Sequence, residues 1–123
     1  MKINLYILII GLGLFFLNSC VQPTYKRTVH FSVELKGDTT VESVGVRGDF
    51  APLSWRETLE LADEDSNGVY TGSVILDSPY DFFEMKFVKN GEVFELQDQD
   101  NRKIVFDQEG ATEVKAVFDQ LNP

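Results

Sequence analysis

An all-β fold, two antiparallel sheets packed as a sandwich, is what the sequence predicts. Three observations carry that expectation. Apolar residues recur with a period of two, as in Val29, Phe31, Val33 and Leu35, or Phe83, Met85 and Phe87. Turn pairs such as Gly37-Asp38, Asn67-Gly68 and Asn90-Gly91 separate the alternating runs at short intervals. Beyond the first twenty residues no helical period appears. About seven strands spaced in this way imply a sandwich of immunoglobulin-like type. Cys20 is the single cysteine, so no disulfide spans the layers.

The strands follow in order. Val29 to Leu35 alternates with His30, Ser32 and Glu34 and reads as a half-buried strand. Val41 to Arg47 is more continuously apolar and ends at Gly48-Asp49. Phe50 to Leu61 has Pro52 near its start and no sustained period, which predicts a long loop with a short turn of helix. Asn67-Gly68 signals a hairpin, since both residues tolerate the positive φ of a type I′ turn. Val69 to Leu76 and Phe82 to Lys89 are the next strands, with Asp77-Ser78-Pro79 between them. Asn90-Gly91 signals a second hairpin into Glu92 to Leu96. Gln97 to Asn101 is a polar loop, and Lys103 to Phe106 and Thr112 to Phe118 complete the set.

The beginning of the chain has a different character. Lys2 is the only charge ahead of Cys20, and the run Leu5 to Leu17 is apolar apart from Tyr6, Gly11 and Gly13. It closes on Leu17-Asn18-Ser19-Cys20. A positive start, a short apolar run and small residues before a cut site make a secretory leader. The run is shorter than the roughly 20 residues that span a bilayer. Its end resembles the lipobox of a bacterial lipoprotein, in which lipid is attached to the cysteine sulfur. The resemblance implies a signal peptide over 1–19, lipidation of Cys20 and a tether over 20–27. The domain is expected over 28–120. Each buried acyl methylene contributes about 0.8 kcal/mol to membrane affinity. Val21 rather than an aspartate after the cysteine favours the outer over the inner membrane of the cell envelope. Periplasmic and surface-exposed placements both stay open.

Removing the leader leaves about one hundred residues, enough for one domain. Ten phenylalanines supply bulk for its core, all but Phe15 and Phe16 beyond the leader. The formal charge is -9, which opposes binding to nucleic-acid phosphates and suits neutral partners.

Between Val44 and Phe106 a second resemblance lies in the order of short blocks. Val46-Arg47-Gly48-Asp49-Phe50-Ala51-Pro52-Leu53-Ser54-Trp55 is followed by Gly68-Val69-Tyr70-Thr71-Gly72-Ser73-Val74. Then come Phe83-Glu84-Met85-Lys86-Phe87-Val88, Phe94-Glu95 and Asn101-Arg102. Together they resemble a starch-binding domain, carbohydrate-binding module family 20, or its glycogen-binding relatives. That resemblance implies the same sandwich and one α-glucan site. Two aromatic platforms fall at Trp55 and Phe94, and hydroxyl-bonding groups at Lys86 and Asn101. A flat ring covers the C–H face of a sugar, while an amide and an ammonium satisfy its rim. Phe94 stands where the family usually has tryptophan. The family's second site has no match, its tryptophan falling at Val69.

Other constellations point elsewhere. Asp63-Glu64-Asp65-Ser66-Asn67-Gly68 copies the opening of a calcium loop, but Val74 occupies the position of the bidentate glutamate. An acidic turn is the simpler expectation. His30 is the only histidine, so a zinc or haem site has little to work with and no cofactor is expected. Serine hydrolase chemistry would need His30, which sits in a strand without a nucleophile elbow. Glycoside hydrolysis needs two carboxylates across a cleft, for which so small a domain has no room. Arg102 is expected to pair with Asp98 or Asp100. The sequence thus points to a non-catalytic envelope lipoprotein that binds α-glucan for separate glycan-processing proteins. The alternative is a protein-interaction or structural module with no sugar binding.

Overall fold

The computed structural model describes residues 23–121, so the leader and Cys20 lie outside the described residues. Eight strands form: β1 Tyr25–Glu34, β2 Val44–Gly48, β3 Leu59–Leu61, β4 Val69–Ser78, β5 Phe82–Lys89, β6 Val93–Phe94, β7 Arg102–Val105 and β8 Thr112–Val117. They make a two-sheet sandwich, as the alternation predicted. One sheet has the order β4-β1-β8. The other has the order β3-β2-β5-β6, with β7 also paired to β5. All ladders are antiparallel except β1 with β8, which is parallel.

Several local expectations change, β2 and β6 being shorter than expected, Val44–Gly48 and Val93–Phe94. β1 begins at Tyr25, inside the expected tether, because Tyr25 to Arg27 pair with Leu76 to Ser78 of a β4 that also runs longer than expected. The segment from Phe50 to Leu61 contains no helix. Leu53 drops into the core, and Leu59–Leu61 joins β2 as a short edge strand. Asn67-Gly68 is not a two-residue turn, since Ser66 and Gly68, not Asn67, take positive φ. The chain instead crosses between the sheets through paired Ala62 and Thr71, each N–H donating to the other's carbonyl at 2.9 Å. Asn90-Gly91 behaves as expected: both residues have positive φ, and the Glu92 N–H closes the turn on the Lys89 carbonyl at 3.3 Å.

The core is the meeting of the two inward faces. Val29, Phe31, Val33 and Leu35 of β1 meet Val44 and Val46 of β2 and Phe83, Met85 and Phe87 of β5. Phe31 stands edge-on to both Phe83 and Phe87, with centroids 6.3 Å apart in each case, while Phe83 stacks on Phe106 at 5.3 Å. Edge-to-face geometry sets the positive ring edge against the negative ring face. Gly48 is required where β2 leaves the sheet: a Cβ there would stand 2.6 Å from the Glu84 carbonyl oxygen.

Among the described residues, charged side chains are buried at one place. Arg102 is expected beside Asp98 or Asp100, but its partner is Glu95. The two are 7 % and 0 % exposed, and Arg102 Nη2 and Nε donate to the two Glu95 oxygens at 2.7 and 2.8 Å. The reason lies in the β5 ladder. β6 covers one half of its edge and β7 the other, and between them the Phe87 N–H has no backbone partner. The Glu95 carboxylate accepts it at 2.8 Å, and accepts the Asp119 N–H at 3.2 Å. Arg102 Nη2 also donates to the carbonyls of Val117 and Gln120. Asp98 and Asp100 stay in the exposed loop.

A second ion pair holds the turn after β1. Lys89 Nζ stands 2.9 Å from an Asp38 oxygen, and the hydroxyl and N–H of Thr40 donate to the other at 2.6 and 2.9 Å. The Thr40 hydroxyl, then Lys89, lower the Asp38 pKa from 3.8 to about 2.

Two outcomes follow from these pairs. Glu95→Gln should leave the Arg102 charge buried without a counter-charge and cost about 3–5 kcal/mol, read from urea unfolding at neutral pH. The Asp38 contribution is complete above its ordinary pKa and disappears as pH falls through about 2. Between pH 4 and 2 the wild-type melting temperature should therefore fall more steeply than that of Asp38→Asn.

Candidate functional site

Of the four residues expected at a sugar site, Lys86 and Phe94 belong by register to the outward phase of the five-stranded sheet. In β5, Phe83, Met85 and Phe87 turn inward, so Lys86 turns outward, and its register partner across β2 is Arg47. On the other side Met85 faces Arg102 and Glu84 faces Lys103. Continued one step, that register sets Asn101 level with Lys86. Arg47, Lys86 and Asn101 thus form a polar row across three segments.

Trp55 lies in the loop after β2, its backbone carbonyl within reach of Arg47. Leu53 anchors the loop in the core, and the Gly48 N–H donates to the Ser54 carbonyl at 3.2 Å. The indole Nε1 donates to Asp49 Oδ1 at 3.0 Å, while Asp49 Oδ2 accepts the Glu84 N–H at 3.1 Å. Asp49 therefore fixes the indole relative to β5. The ring is half-buried, neither enclosed by the sheets nor freely exposed.

Phe94 is also half-buried and pairs with Val88 across β5 and β6. It lines an open depression of about 430 Å³ with Val93, Leu96, Gln97 and Gln99, to which Trp55 contributes nothing. Phe94 and the backbone of the Trp55 loop are linked by a residue that sequence reasoning did not select. Arg47 donates from Nη1 to the Trp55 carbonyl at 3.3 Å and from Nη2 to the Gly91 carbonyl at 2.8 Å. Its Nε donates to the Thr58 hydroxyl at 3.0 Å, and its guanidinium stands over the Phe94 ring at 5.1 Å. One signal could have found it: Arg47 follows the inward Val46 and so belongs to the outward phase opposite Lys86.

Lys86 is less available than the alternation alone suggests. Its Nζ donates to the carbonyls of Leu96 and Gln99 at 3.0 and 3.1 Å, tying down the loop where Leu96 and Asp98 take positive φ. An ammonium has three protons, so one remains for a further acceptor. Asn101 is half-buried. The arrangement offers two partly open rings, a cation on one of them, and a row of donors beneath.

The remaining constellations resolve locally. The two Asp63 oxygens accept the N–H groups of Asn67 and Gly68 at 3.1 and 2.8 Å, so that carboxylate closes its own turn. No group of three metal-ligating side chains occurs among the described residues. His30 Nδ1 hydrogen-bonds the Ser73 hydroxyl on the outward face of the three-stranded sheet, with Glu113 its register neighbour on β8. Ser73 and Glu113 are exposed and His30 is half-buried, so the three lie on an open sheet surface. No family model matches the chain, and no curated protein matches it in sequence.

Replacing Arg47 by Met should release the Trp55 loop by removing three hydrogen bonds. The expected loss is about 1–3 kcal/mol of stability, with stronger acrylamide quenching of the chain's single tryptophan.

Proposed function

We propose that the chain is a non-catalytic, lipid-anchored envelope protein that binds α-glucan on the outward face of its five-stranded sheet. Trp55 supplies the principal platform, and Phe94, with Arg47 on its ring, the second. Lys86 and Asn101 meet the hydroxyl rim, joined by Arg47, which has two of its five N–H groups left over. The observation that carries the reading is Trp55. Its indole is held by Asp49 and is half-buried, so part of the ring is left to solvent. A buried core tryptophan would have removed the platform. The resemblance to starch-binding domains supplies the sugar class, and the lipobox-like leader supplies the anchor at Cys20.

A site of this kind binds weakly, because half-buried rings and few unspent donors leave little surplus over the cost of association. Affinities of roughly micromolar to millimolar fit that geometry. The protein would act by holding polymer near the membrane for separate enzymes and transporters.

A second reading has an observation of its own. Two cations are spent internally, Lys86, expected to face ligand, on the Leu96 and Gln99 carbonyls, and Arg47 on the Trp55 loop and the Phe94 ring. A surface so cross-braced suits a protein-interaction or structural module. Native electrophoresis in gels with and without soluble starch separates the two. Retardation by starch, abolished in Trp55→Ala with an unchanged circular dichroism spectrum, is the expected result. Unaltered migration of the intact protein, with no rise in melting temperature on adding maltoheptaose, would favour the interaction module.

A further inference from the structure

Exposed apolar side chains on this domain are not scattered. Among the described residues, the large apolar side chains that stand clearly in solvent are Tyr25, Ile75, Tyr80, Val105 and Leu121. Three of them share one end of the sandwich. Tyr25 opens β1 opposite Ser78, two residues before Tyr80, and Val105 closes β7 opposite Phe82 at the start of β5. Tyr25, Tyr80 and Val105 are 54 %, 50 % and 64 % exposed. Tyr80 stacks on Phe82 and tilts against Phe50, with centroids 5.9 Å apart in both pairs. Lys103 Nζ stands 4.4 Å above the Phe82 ring, and Arg27 is within 5.6 Å of Tyr25. Tyr80 is braced by Phe82 and Phe50, so its exposed ring needs little further ordering on contact with a surface.

This is also the end that the chain enters. Cys20 precedes Tyr25 by five residues, and five extended residues span about 17 Å at most. A lipid on Cys20 would hold this end, whatever the path of the linker, within that distance of the bilayer. Tyrosine suits the place, with an apolar ring and a polar hydroxyl at the headgroup level. The surrounding charges are balanced, with Lys26, Arg27 and Lys103 among Asp77, Asp81 and Asp107. That balance favours contact through the rings over attraction to an anionic surface.

We propose that the Tyr25–Tyr80–Phe82–Val105 end is a membrane-resting face that seats in the headgroup region of the bilayer carrying the Cys20 lipid. The inference rests on the reading of Cys20 as lipidated. Seated this way, the sheets stand upright on the membrane and the glucan face looks sideways into the surrounding space.

The test uses the full chain, purified from bacterial membranes and reconstituted in vesicles of phosphatidylcholine and phosphatidylethanolamine with brominated acyl chains. In a Trp55→Phe background, a single indole reports from Tyr80→Trp, from Tyr25→Trp as an independent second position, or from Phe94→Trp at the other end of β5. Quenching at positions 80 and 25 roughly twofold or more above that at 94, unchanged by 0.5 M salt, is the expected result. Equal signals at all three positions, in protein that sediments with vesicles and carries acyl mass on Cys20, would overturn the docking face and leave the anchor intact. An unmodified Cys20, with the protein left in the supernatant, would remove the anchor and the docking face together.

Discussion

The fold depends on one buried ion pair to solve a problem that its own strand arrangement creates. β5 is the central strand of the larger sheet, yet its outer edge is shared by two short strands that do not meet. Where they part, the Phe87 N–H would be stranded inside the protein, and an unpaired buried donor is expensive. Glu95 fills the gap with its side chain, which brings a charge to a place with no water. Arg102 then answers that charge in a two-bond fork. The guanidinium continues to the Val117 and Gln120 carbonyls, so the same pair fastens the end of β8. The Leu96 N–H donates to Asp119 at 2.8 Å, completing a closed circuit between the sheets.

The candidate site inherits its shape from this repair. Because Glu95 turns inward at the break in the ladder, Phe94 before it turns outward, and the chain after it bends away through Leu96 and the exposed loop to Asn101. Lys86 caps the bend. The polar row on the outward face is thus the surface counterpart of the buried pair. Arg47 then bridges from the Phe94 ring to the backbone of the Trp55 loop, tying the two segments together.

How much of this could be read from residues alone depended on how local each signal was. Alternation in β1 and β5 placed the inward phenylalanines correctly, because a period of two needs only the strand itself. Asn90-Gly91 worked because two neighbouring residues carry the whole turn. Asn67-Gly68 failed because Asp63, several residues upstream, takes the amide hydrogens and sets a longer loop. β3 escaped notice because three residues are too few to show a period. The outward phase of Lys86 was legible, but not the engagement of its ammonium, which depends on where the Leu96 bend brings two carbonyls. Glu95 with Arg102 and Arg47 with Phe94 are tertiary facts: each joins residues whose proximity exists only after the sheets form.

The parallel pairing of β1 with β8 has a mechanical meaning. The first and last strands run side by side in one direction, so the chain enters the domain at one pole and leaves from the other, about 30 Å away by the length of β1. Tension drawn between a fixed leading end and the trailing end pulls the two strands lengthwise past each other. Every rung between Val29 and Glu34 then shares the load at once, instead of parting one after another as in a peeled hairpin.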